Sequence, residues 1–182
     1  PPVGPDEVPF EVPEGWVCIR LGQLGTWAVG AGFPKRYQGH VDKPILFCKV
    51  SDMNLPGNER FIHTTQNTID EDIADEIGAT IHPPGTVIFP KIGGAIATNK
   101  RRILARASVI DNNCLGLVPN GGCSTDWLFL QLSAIDFSQY QSGTSVPALN
   151  QGNLGLIPVA LPPLPEQHRI VAKVDRLMAL CD

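Results

Sequence analysis

The sequence predicts an α+β domain with a twisted, largely antiparallel sheet and a few short helices. Apolar runs of about four to eight residues recur between turn signals, which is typical of short strands. The 182 residues include 18 Gly and 17 Pro, and this content favours many turns and few long helices. With 43% hydrophobic and 18% charged residues, the chain is long enough and apolar enough to form a substantial core.

Residues 1–13 are rich in proline and acid and lack periodicity, so we expect a linker or an arm that gains order only against a neighbour. The compact domain is predicted for residues 14–164 and a further helix for 165–182. No apolar run approaches the roughly 20 residues that span a bilayer, and the first residues lack the layout of a signal peptide. The 5 cysteines form no C-x-x-C pair, so we expect reduced, mostly buried thiols in a cytoplasmic protein.

Strands and loops alternate at the start of the domain. The apolar run at 16–21 predicts a strand, and the glycine-rich stretch at 25–39 predicts an exposed loop. Residues 44–50 predict a buried strand that ends in turn residues at 51–54. Loops on a rigid scaffold often carry binding residues, and the turn at 51–54 is equally well explained by ligand contact and by a plain turn. For the loop at 25–39 a plain exposed loop is the preferred interpretation, and DNA or RNA contact by Lys35, Arg36 and Tyr37 is the alternative.

A short helix should follow. Thr68 and Glu71 fit a capping box, and Ile69, Ile73 and Ile77 recur on one helical face. The acids of this segment are interpreted as a solvated face rather than a metal site, because no histidine joins them at ligand spacing.

An antiparallel meander is predicted for the middle of the chain. Its expected strands are 86–89, 95–98, 103–110 and 114–118. The segment 99–102 would then be a basic hairpin tip. Five basic residues and no acid lie between Lys91 and Arg106. From charge alone, a solvated tip and a surface that contacts phosphates are equally good interpretations.

The last third of the domain begins with a helix over 127–132, for which the segment 124–126 offers an N-cap. Residues 141–150 predict a small polar loop, and 157–161 predict a strand. A proline corner then starts the final helix near Pro165.

The final helix carries an apolar stripe with spacings of four, three and four, which begins a heptad seam. The stripe consists of Ile170, Val174, Leu177 and Cys181. From periodicity alone, an amphipathic helix lying on its own domain is the simpler interpretation. The stripe is still running at Asp182, so we expect the helix to continue in a longer protein.

No recognisable catalytic arrangement occurs in the sequence. The 4 histidines are scattered, and none is paired with Cys, Asp or Glu at motif spacing. A net charge of −4 also argues against a protein that coats nucleic acid through bulk positive charge. We therefore expect a binding module, not an enzyme, with no metal and no cofactor.

Family landmarks occur in order along most of the chain, at 13–21, 32–34, 45–52, 84–88, 92–96, 143–149 and 157–171. The closing one, which includes Leu161-Pro-Pro-Leu-Pro-Glu-Gln-His-Arg-Ile170, is highly specific. On these residues the chain resembles one target-recognition half of a specificity subunit from a type I DNA restriction-modification system. One departure is Phe47, where the family usually has tryptophan.

The resemblance implies a non-catalytic protein that reads one half of a split target in double-stranded DNA. Long antiparallel helices of the complete subunit would set the spacing and bind the methyltransferase and restriction nuclease subunits. A second recognition half, or a second copy, would pair with the seam of the final helix. The predicted DNA contacts are Lys35, Arg36, Tyr37, Lys49, Ser51, Asp52, Asn54, Lys91, Asn99, Lys100, Arg101, Arg102, Gly143, Thr144 and Ser145.

Two other functions remain open at this point. The chain could be the recognition domain of a single-chain restriction-methylation enzyme. It could also be a protein-interaction module without DNA specificity, whose final helix is its functional surface.

Overall fold

Short strands dominate the structure and helices are few, as the glycine and proline content predicts. The computed structural model describes residues 2–4, 7–8, 11–143 and 145–180. In chain order the strands are β1 (Val17–Arg20), β2 (Gly25–Val29), β3 (Ile45–Cys48), β4 (Phe61–Ile62), β5 (Thr68–Ile69), β6 (Val87–Pro90), β7 (Arg102–Leu104), β8 (Ser108–Ile110), β9 (Cys114–Pro119), β10 (Gln141–Ser142), β11 (Ala148–Leu149) and β12 (Pro158–Leu161). The α-helices are α1 (Glu71–Glu76), α2 (Thr125–Ala134), α3 (Gln151–Gly155) and α4 (Leu164–Met178).

Two sheets form the centre of the domain. The larger has five strands in the order β2-β9-β6-β7-β4, and the smaller has three in the order β5-β3-β8. Most neighbouring strands are antiparallel, and the exceptions are β4 with β7 and β3 with β8. Two further antiparallel pairs stand apart, β1 with β12 and β10 with β11. The predicted α+β fold with largely antiparallel pairing is therefore confirmed.

Strand β6 shows why both faces of the larger sheet are covered. Its side chains alternate between faces, so Val87 and Phe89 join the cluster that includes Leu128 of α2. Ile88 joins a different cluster, which includes Leu46 of β3. Helix α1 packs in a third cluster, with the side chains of β3 that do not face the larger sheet. The layers are thus helices, larger sheet, smaller sheet and α1.

The start and the end of the domain meet in the β1–β12 pair. Val17 pairs with Leu161, and Arg20 with Pro158. Arg20 also holds part of the N-terminal segment, because its Nη1 and Nη2 atoms each lie 2.7 Å from a carboxylate oxygen of Glu7. This guanidinium lowers the pKa of Glu7 to about 2. Through this ion pair, at least Glu7 of the predicted arm contacts the domain.

Helix α1 begins at a different residue from the one predicted. Asp70, and not Thr68, is its N-cap, since Asp70 Oδ1 accepts a hydrogen bond from the backbone N–H of Ile73 at 3.0 Å. Thr68 lies in β5 and pairs with Leu46. Its hydroxyl accepts from the backbone N–H of Lys43 at 2.9 Å. The capping-box prediction was wrong because sheet pairing fixes the backbone of Thr68.

The predicted meander is only partly correct. Strands β6 and β9 are antiparallel neighbours, but residues 95–98 belong to a 3-10 helix, Gly93–Thr98, and not to a strand. Asn99 ends this helix with a φ of 50°, a left-handed conformation that asparagine tolerates better than most residues. The predicted strand 103–110 is broken, because β7 belongs to the larger sheet and β8 to the smaller. The basic segment after Asn99 is therefore the end of a β6–β7 connection and not a hairpin tip.

Two local predictions are confirmed. Ser124 caps α2, since its Oγ accepts a hydrogen bond from the backbone N–H of Trp127 at 3.3 Å. The cysteines within the described residues are free thiols, three of them buried and one half-buried; they are Cys18, Cys48, Cys114 and Cys123. Cys181 lies outside the described residues.

In the part of the chain that the structure describes, no helix is long and apolar enough to cross a membrane.

Candidate nucleic-acid interface

One edge of the larger sheet gathers most of the predicted contact residues. Neighbouring strands are antiparallel, so β2 and β6 end at this edge while β9 and β7 begin there. Strand β3 also ends there, because the backbone N–H of Asp111 donates to the carbonyl of Cys48 at 2.9 Å. We name this edge the rim. It comprises residues 49–54, 91–102, 111–113, 142–143 and 145–148.

The β10–β11 hairpin is attached to the rim by backbone contacts. Ala148 forms a bridge with Ile92, and the N–H of Leu149 donates to the carbonyl of Lys91 at 2.8 Å. Gly143 has a φ of 96°, and a Cβ there would lie 2.7 Å from the carbonyl oxygen of Val146. Glycine is thus required by the turn itself. Ser145 and Val146 are exposed in this turn, and Thr144 lies outside the described residues.

The turn after β3 is organised by a buried carboxylate. Asp52 is 0% exposed, and its oxygens accept from the backbone N–H groups of Lys49 at 2.7 Å and Gln66 at 2.9 Å. Asp52 therefore positions the turn and is not oriented towards a ligand, which differs from the predicted DNA contact. Ser51 and Asn54 are exposed on the same turn.

Arg101 is buried, although we predicted a phosphate contact for it. It is 3% exposed, and its guanidinium carbon lies 4.0 Å from the ring centroid of Phe137. The guanidinium donates to the carbonyls of Leu132 at 3.0 Å and Ile135 at 3.1 Å and to Oδ1 of Asn99 at 2.8 Å. Burial lowers the pKa of Arg101 to about 10. This arginine joins the rim to α2 and has no surface to offer a phosphate.

The side-chain amide of Asn99 also forms its hydrogen bonds within the fold. Besides accepting from Arg101, it donates through Nδ2 to the carbonyl of Ser133 at 3.0 Å. Both ends of its amide are therefore used within the fold.

Lys100 and Arg102, which flank Arg101 in the sequence, connect two segments of the rim. Arg102 donates through Nη2 and Nε to the carbonyl of Met53, at 2.8 and 3.2 Å. Lys100 Nζ donates to Oδ1 of Asn54. These contacts hold the ends of β3 and β7 together and leave Lys100 partly exposed.

Lys49 and Lys91 are the other half-exposed cations of the rim. Lys49 Nζ lies 3.2 Å from Oε1 of Gln38 and 5.3 Å from the ring centroid of Phe33. Phe33 in turn stacks on Phe47 with a centroid separation of 3.7 Å. Lys91 is fixed through its backbone N–H, which donates to the carbonyl of Asn113 at 2.9 Å.

The predicted contacts at 35–37 lie outside the rim but next to it, because Phe33 and Gln38, on either side of this segment, contact Lys49. They form a 3-10 turn, Lys35–Tyr37, beside α1. Arg36 Nη2 lies 2.9 Å from Oε1 of Glu76, and its guanidinium carbon lies 4.7 Å from the centroid of Tyr37. The structure therefore places these three side chains on the flank of the domain.

Comparison with known proteins identifies the family. The family model of the type I restriction-modification DNA specificity domain matches residues 13–182. The chain belongs to this family. Two curated Escherichia coli proteins are similar: the type I restriction enzyme EcoDI specificity subunit, 40% identical over 67 residues, and the EcoAI specificity subunit, 25% identical over 189. The matched segments cover 35% and 100% of this chain, and 15% and 31% of those proteins.

Solved structures show the same fold. A chain from a study of complex assembly and conformational transition in a type I restriction-modification system matches 94% of this specificity domain with a TM-score of 0.74 and 19% identity. The HsdS subunit from Thermoanaerobacter tengcongensis matches 94% with a TM-score of 0.71 and 19% identity. This specificity domain covers 40% and 39% of those two chains, so it spans less than half of their length.

The C-terminal helix of the specificity domain is attached to the domain along its first half. Ile170 and Val171 pack against the main core. Farther along, Arg60 bridges Asp126 of α2 at 2.8 Å and Asp175 of α4 at 3.1 Å.

In the last turns the apolar side chains are exposed, namely Leu177 at 53%, Met178 at 59% and Leu180 at 82%. The seam is thus divided: Ile170 packs against its own domain, whereas Leu177 is largely exposed. Cys181 is outside the described residues.

Two polar residues of this specificity domain stand out that the sequence patterns did not identify. Asn112 is at the apex of the rim turn between β8 and β9, where the sequence indicated only turn chemistry. Gln167 is 0% exposed although it lies in an amphipathic helix among polar residues. Among the described residues, no three His, Cys, Asp or Glu side chains gather in a group that could hold a metal ion.

Proposed function

We propose that this domain reads one half of a split sequence in double-stranded DNA for a type I restriction-modification complex, and that it performs no chemistry itself. The observation that carries the proposal is the rim. Chain segments that are far apart in sequence meet at one edge of the sheet, where they carry lysines and small polar side chains. Such a surface suits a duplex, because phosphate contacts fix the register and polar side chains read base edges.

Within the rim, we assign phosphate contacts to Lys49, Lys91 and Lys100. Each is a half-exposed cation within two residues of a strand end. Arg101 and Asn99 are assigned structural roles because their polar atoms are already bonded inside the domain. Ser51, Asn54, Gly143 and Ser145 remain candidates for contacts in a groove, and Lys35, Arg36 and Tyr37 for contacts outside the rim.

The proposed partners are methyltransferase subunits and a restriction nuclease subunit. A second recognition half, or a second copy of the chain, would cover the exposed later part of the α4 seam, because apolar patches of this kind mark interaction surfaces. The exposure of Leu177 in the seam, and of Met178 and Leu180 beside it, supports this assignment. We place the complex in the cytoplasm, where its DNA target would be accessible.

A domain exchange in the complete system tests the proposal. Residues 14–164 are replaced, in the full-length specificity subunit, by the equivalent domain of a relative with a different target. Methylated sites are then mapped across a host genome. We expect one half of the bipartite target to change and the other half to stay the same. An unchanged target, or the absence of sequence-selective methylation by the parent system, would refute the proposed function and favour a protein-interaction module.

A further inference from the structure

Asn112 occupies the middle of the rim. It lies at the apex of a four-residue turn, in which the backbone N–H of Cys114 donates to the carbonyl of Asp111 at 3.0 Å. The turn is bordered on one side by the end of β3, next to Lys49, and on the other side by Lys91. On the side of β2, Gly30 approaches so closely that a Cβ there would lie 1.8 Å from the carbonyl oxygen of Asp111.

The turn is held in one conformation by the side chain of Asp111. This carboxylate is 7% exposed and accepts from the backbone N–H of Asn113 at 3.1 Å and from its Nδ2 at 2.9 Å. The backbone of Asn113 is itself bonded to Lys91 at 2.9 Å. A residue at the apex is therefore presented on a pre-ordered support, and binding a ligand there would cost little backbone entropy.

Asn112 differs from the other amides around the rim in what its side chain contacts. The amides of Gln38, Asn54, Asn99 and Asn113 all form hydrogen bonds within the domain. Asn112 is exposed, and among the described residues its side chain has no hydrogen-bond partner. Both its donor and its acceptor are available.

The charges around the turn decide what kind of ligand group it suits. Lys49 and Lys91 lie on opposite sides of the turn and can each bind a phosphate of the duplex. The carboxylate of Asp111, which bonds Asn113 within the same turn, repels a phosphate at that point. A base edge carries no net charge and is compatible with this position. The turn would then enter the groove between two phosphate contacts.

We propose that Asn112 is a base-reading residue of this domain and that its amide pairs with an adenine in the major groove. Adenine presents the N7 acceptor and the N6 amino donor there, and an asparagine amide matches both at once. This inference rests on the proposed function and adds a specificity-determining residue and a base class to it.

The test uses the full-length specificity subunit assembled with its methyltransferase subunits. Duplexes carrying the target are compared with duplexes in which each target adenine in turn is replaced by 7-deazaadenine, which lacks the N7 acceptor. Wild type, Asn112→Ala and Asn112→Ser are measured, and Lys91→Gln serves as the contrasting variant. Thermal unfolding of each variant verifies that the exposed turn tolerates the change.

We expect one adenine at which 7-deazaadenine weakens binding by wild type, has no effect in Asn112→Ala and has a smaller effect in Asn112→Ser, whose hydroxyl can donate at most one bond to N7. Both variants should bind the natural target about 5- to 150-fold more weakly and should accept other bases at that position. Lys91→Gln should weaken binding to all duplexes equally. The inference is overturned if both variants keep the base preference of wild type, or if 7-deazaadenine affects them as it does wild type. Failure of the proposed function gives a different result, in which wild type itself does not distinguish the target from other duplexes.

Discussion

The side-chain oxygen of Gln167 accepts a hydrogen bond from the backbone N–H of Ser124 at 2.8 Å. The same side chain donates through Nε2 to the carbonyls of Gly122 and Pro162, each at 2.9 Å. One residue of α4 thus satisfies the backbone at the start of α2 and at the proline corner. The helix that leaves the domain is attached at its base by a buried amide, in addition to its apolar contacts.

Replacing Gln167 by alanine should lower the free energy of unfolding by about 1–3 kcal/mol, because the buried carbonyl of Pro162 would lose its bond to Gln167 and the half-buried N–H of Ser124 would lose its acceptor. Chemical denaturation of the chain measures the change. His168→Ala is the matched control, since His168 is the next residue and is exposed, and it should change stability by less than about 0.5 kcal/mol. Equal effects of the two substitutions would contradict the role assigned to Gln167.

Arg60 should hold the second half of α4 against the domain. Replacing it by methionine removes the ion pairs with Asp126 and Asp175 but keeps much of the side-chain length. We expect a decrease in stability of about 0.4–2 kcal/mol, and an increase in amide hydrogen exchange relative to wild type that is larger in residues 170–178 than in the rest of the chain. Arg169→Met is the control, because Arg169 is exposed and its ion pair with Glu166 at 3.4 Å is confined to α4. If exchange in residues 170–178 were no faster in Arg60→Met than in wild type, Arg60 would have no such role.

The thiols should differ sharply in reactivity. Burial raises the pKa of Cys123 to about 12 and raises the pKa values of Cys48 and Cys114 well above their ordinary range. Cys18 is half-buried. In a Cys181→Ser background, iodoacetamide near neutral pH should modify Cys18 first and should modify the other three only after unfolding. Mass spectrometry of timed samples gives the order, and early modification of Cys123 would contradict its burial.

Stability should fall on mild acidification because of His82. This ring is 4% exposed, its Nε2 lies 3.0 Å from the carbonyl oxygen of Val29, and burial holds its pKa below 6.5. The folded state therefore favours the neutral ring, and this contribution is complete above pH 6.5 and decreases as the pH falls through the lowered value. The slope should not exceed about 1.4 kcal/mol per pH unit.

The variant His82→Gln keeps an amide donor for Val29 and removes the titration. Denaturation curves between pH 7 and pH 5 should show a flatter dependence for this variant than for wild type, because most carboxylates titrate at lower pH. Parallel curves for the two proteins would mean that another group causes the decrease in stability.

Local signals in the sequence were sufficient for much of the fold. The apolar runs that became β3, β6 and β9 are bounded by glycine, proline or turn residues, and Ser124 precedes α2 as a good N-cap. Prediction failed where two local signals compete. Thr68 and Asp70 are both acceptable caps, and the choice depends on whether Thr68 pairs with Leu46, a residue 22 positions earlier in the chain.

The candidate site was harder to predict from the sequence, because long-range contacts decide which of its residues are buried and which are exposed. Arg101 and Lys100 look equivalent in the sequence. They differ because Arg101 lies against the rings of Phe89 and Phe137, whereas Lys100 bonds Asn54 and stays half-exposed. What distinguishes Asn112 is that its side chain has no hydrogen-bond partner among the described residues. No local sequence pattern can indicate this. Gln167 is buried because the start of α2 lies beside it.

The most direct test of the central claim, that the rim contacts DNA, is the salt dependence of binding by the full-length specificity subunit assembled with its methyltransferase subunits. A variant with Lys49, Lys91 and Lys100 changed to glutamine is compared with a control in which Arg106, Arg169 and Lys173, all exposed and off the rim, are changed to glutamine. The net charge of both variants changes equally. The logarithm of the binding constant is measured against the logarithm of the salt concentration.

We predict that the rim variant lowers the magnitude of this slope by about 0.9 for each phosphate that the protein no longer neutralises, or about 2.7 in all, while the control keeps the slope of wild type. Equal slopes for wild type and the rim variant, or an equal reduction in the rim variant and the control, would contradict the account.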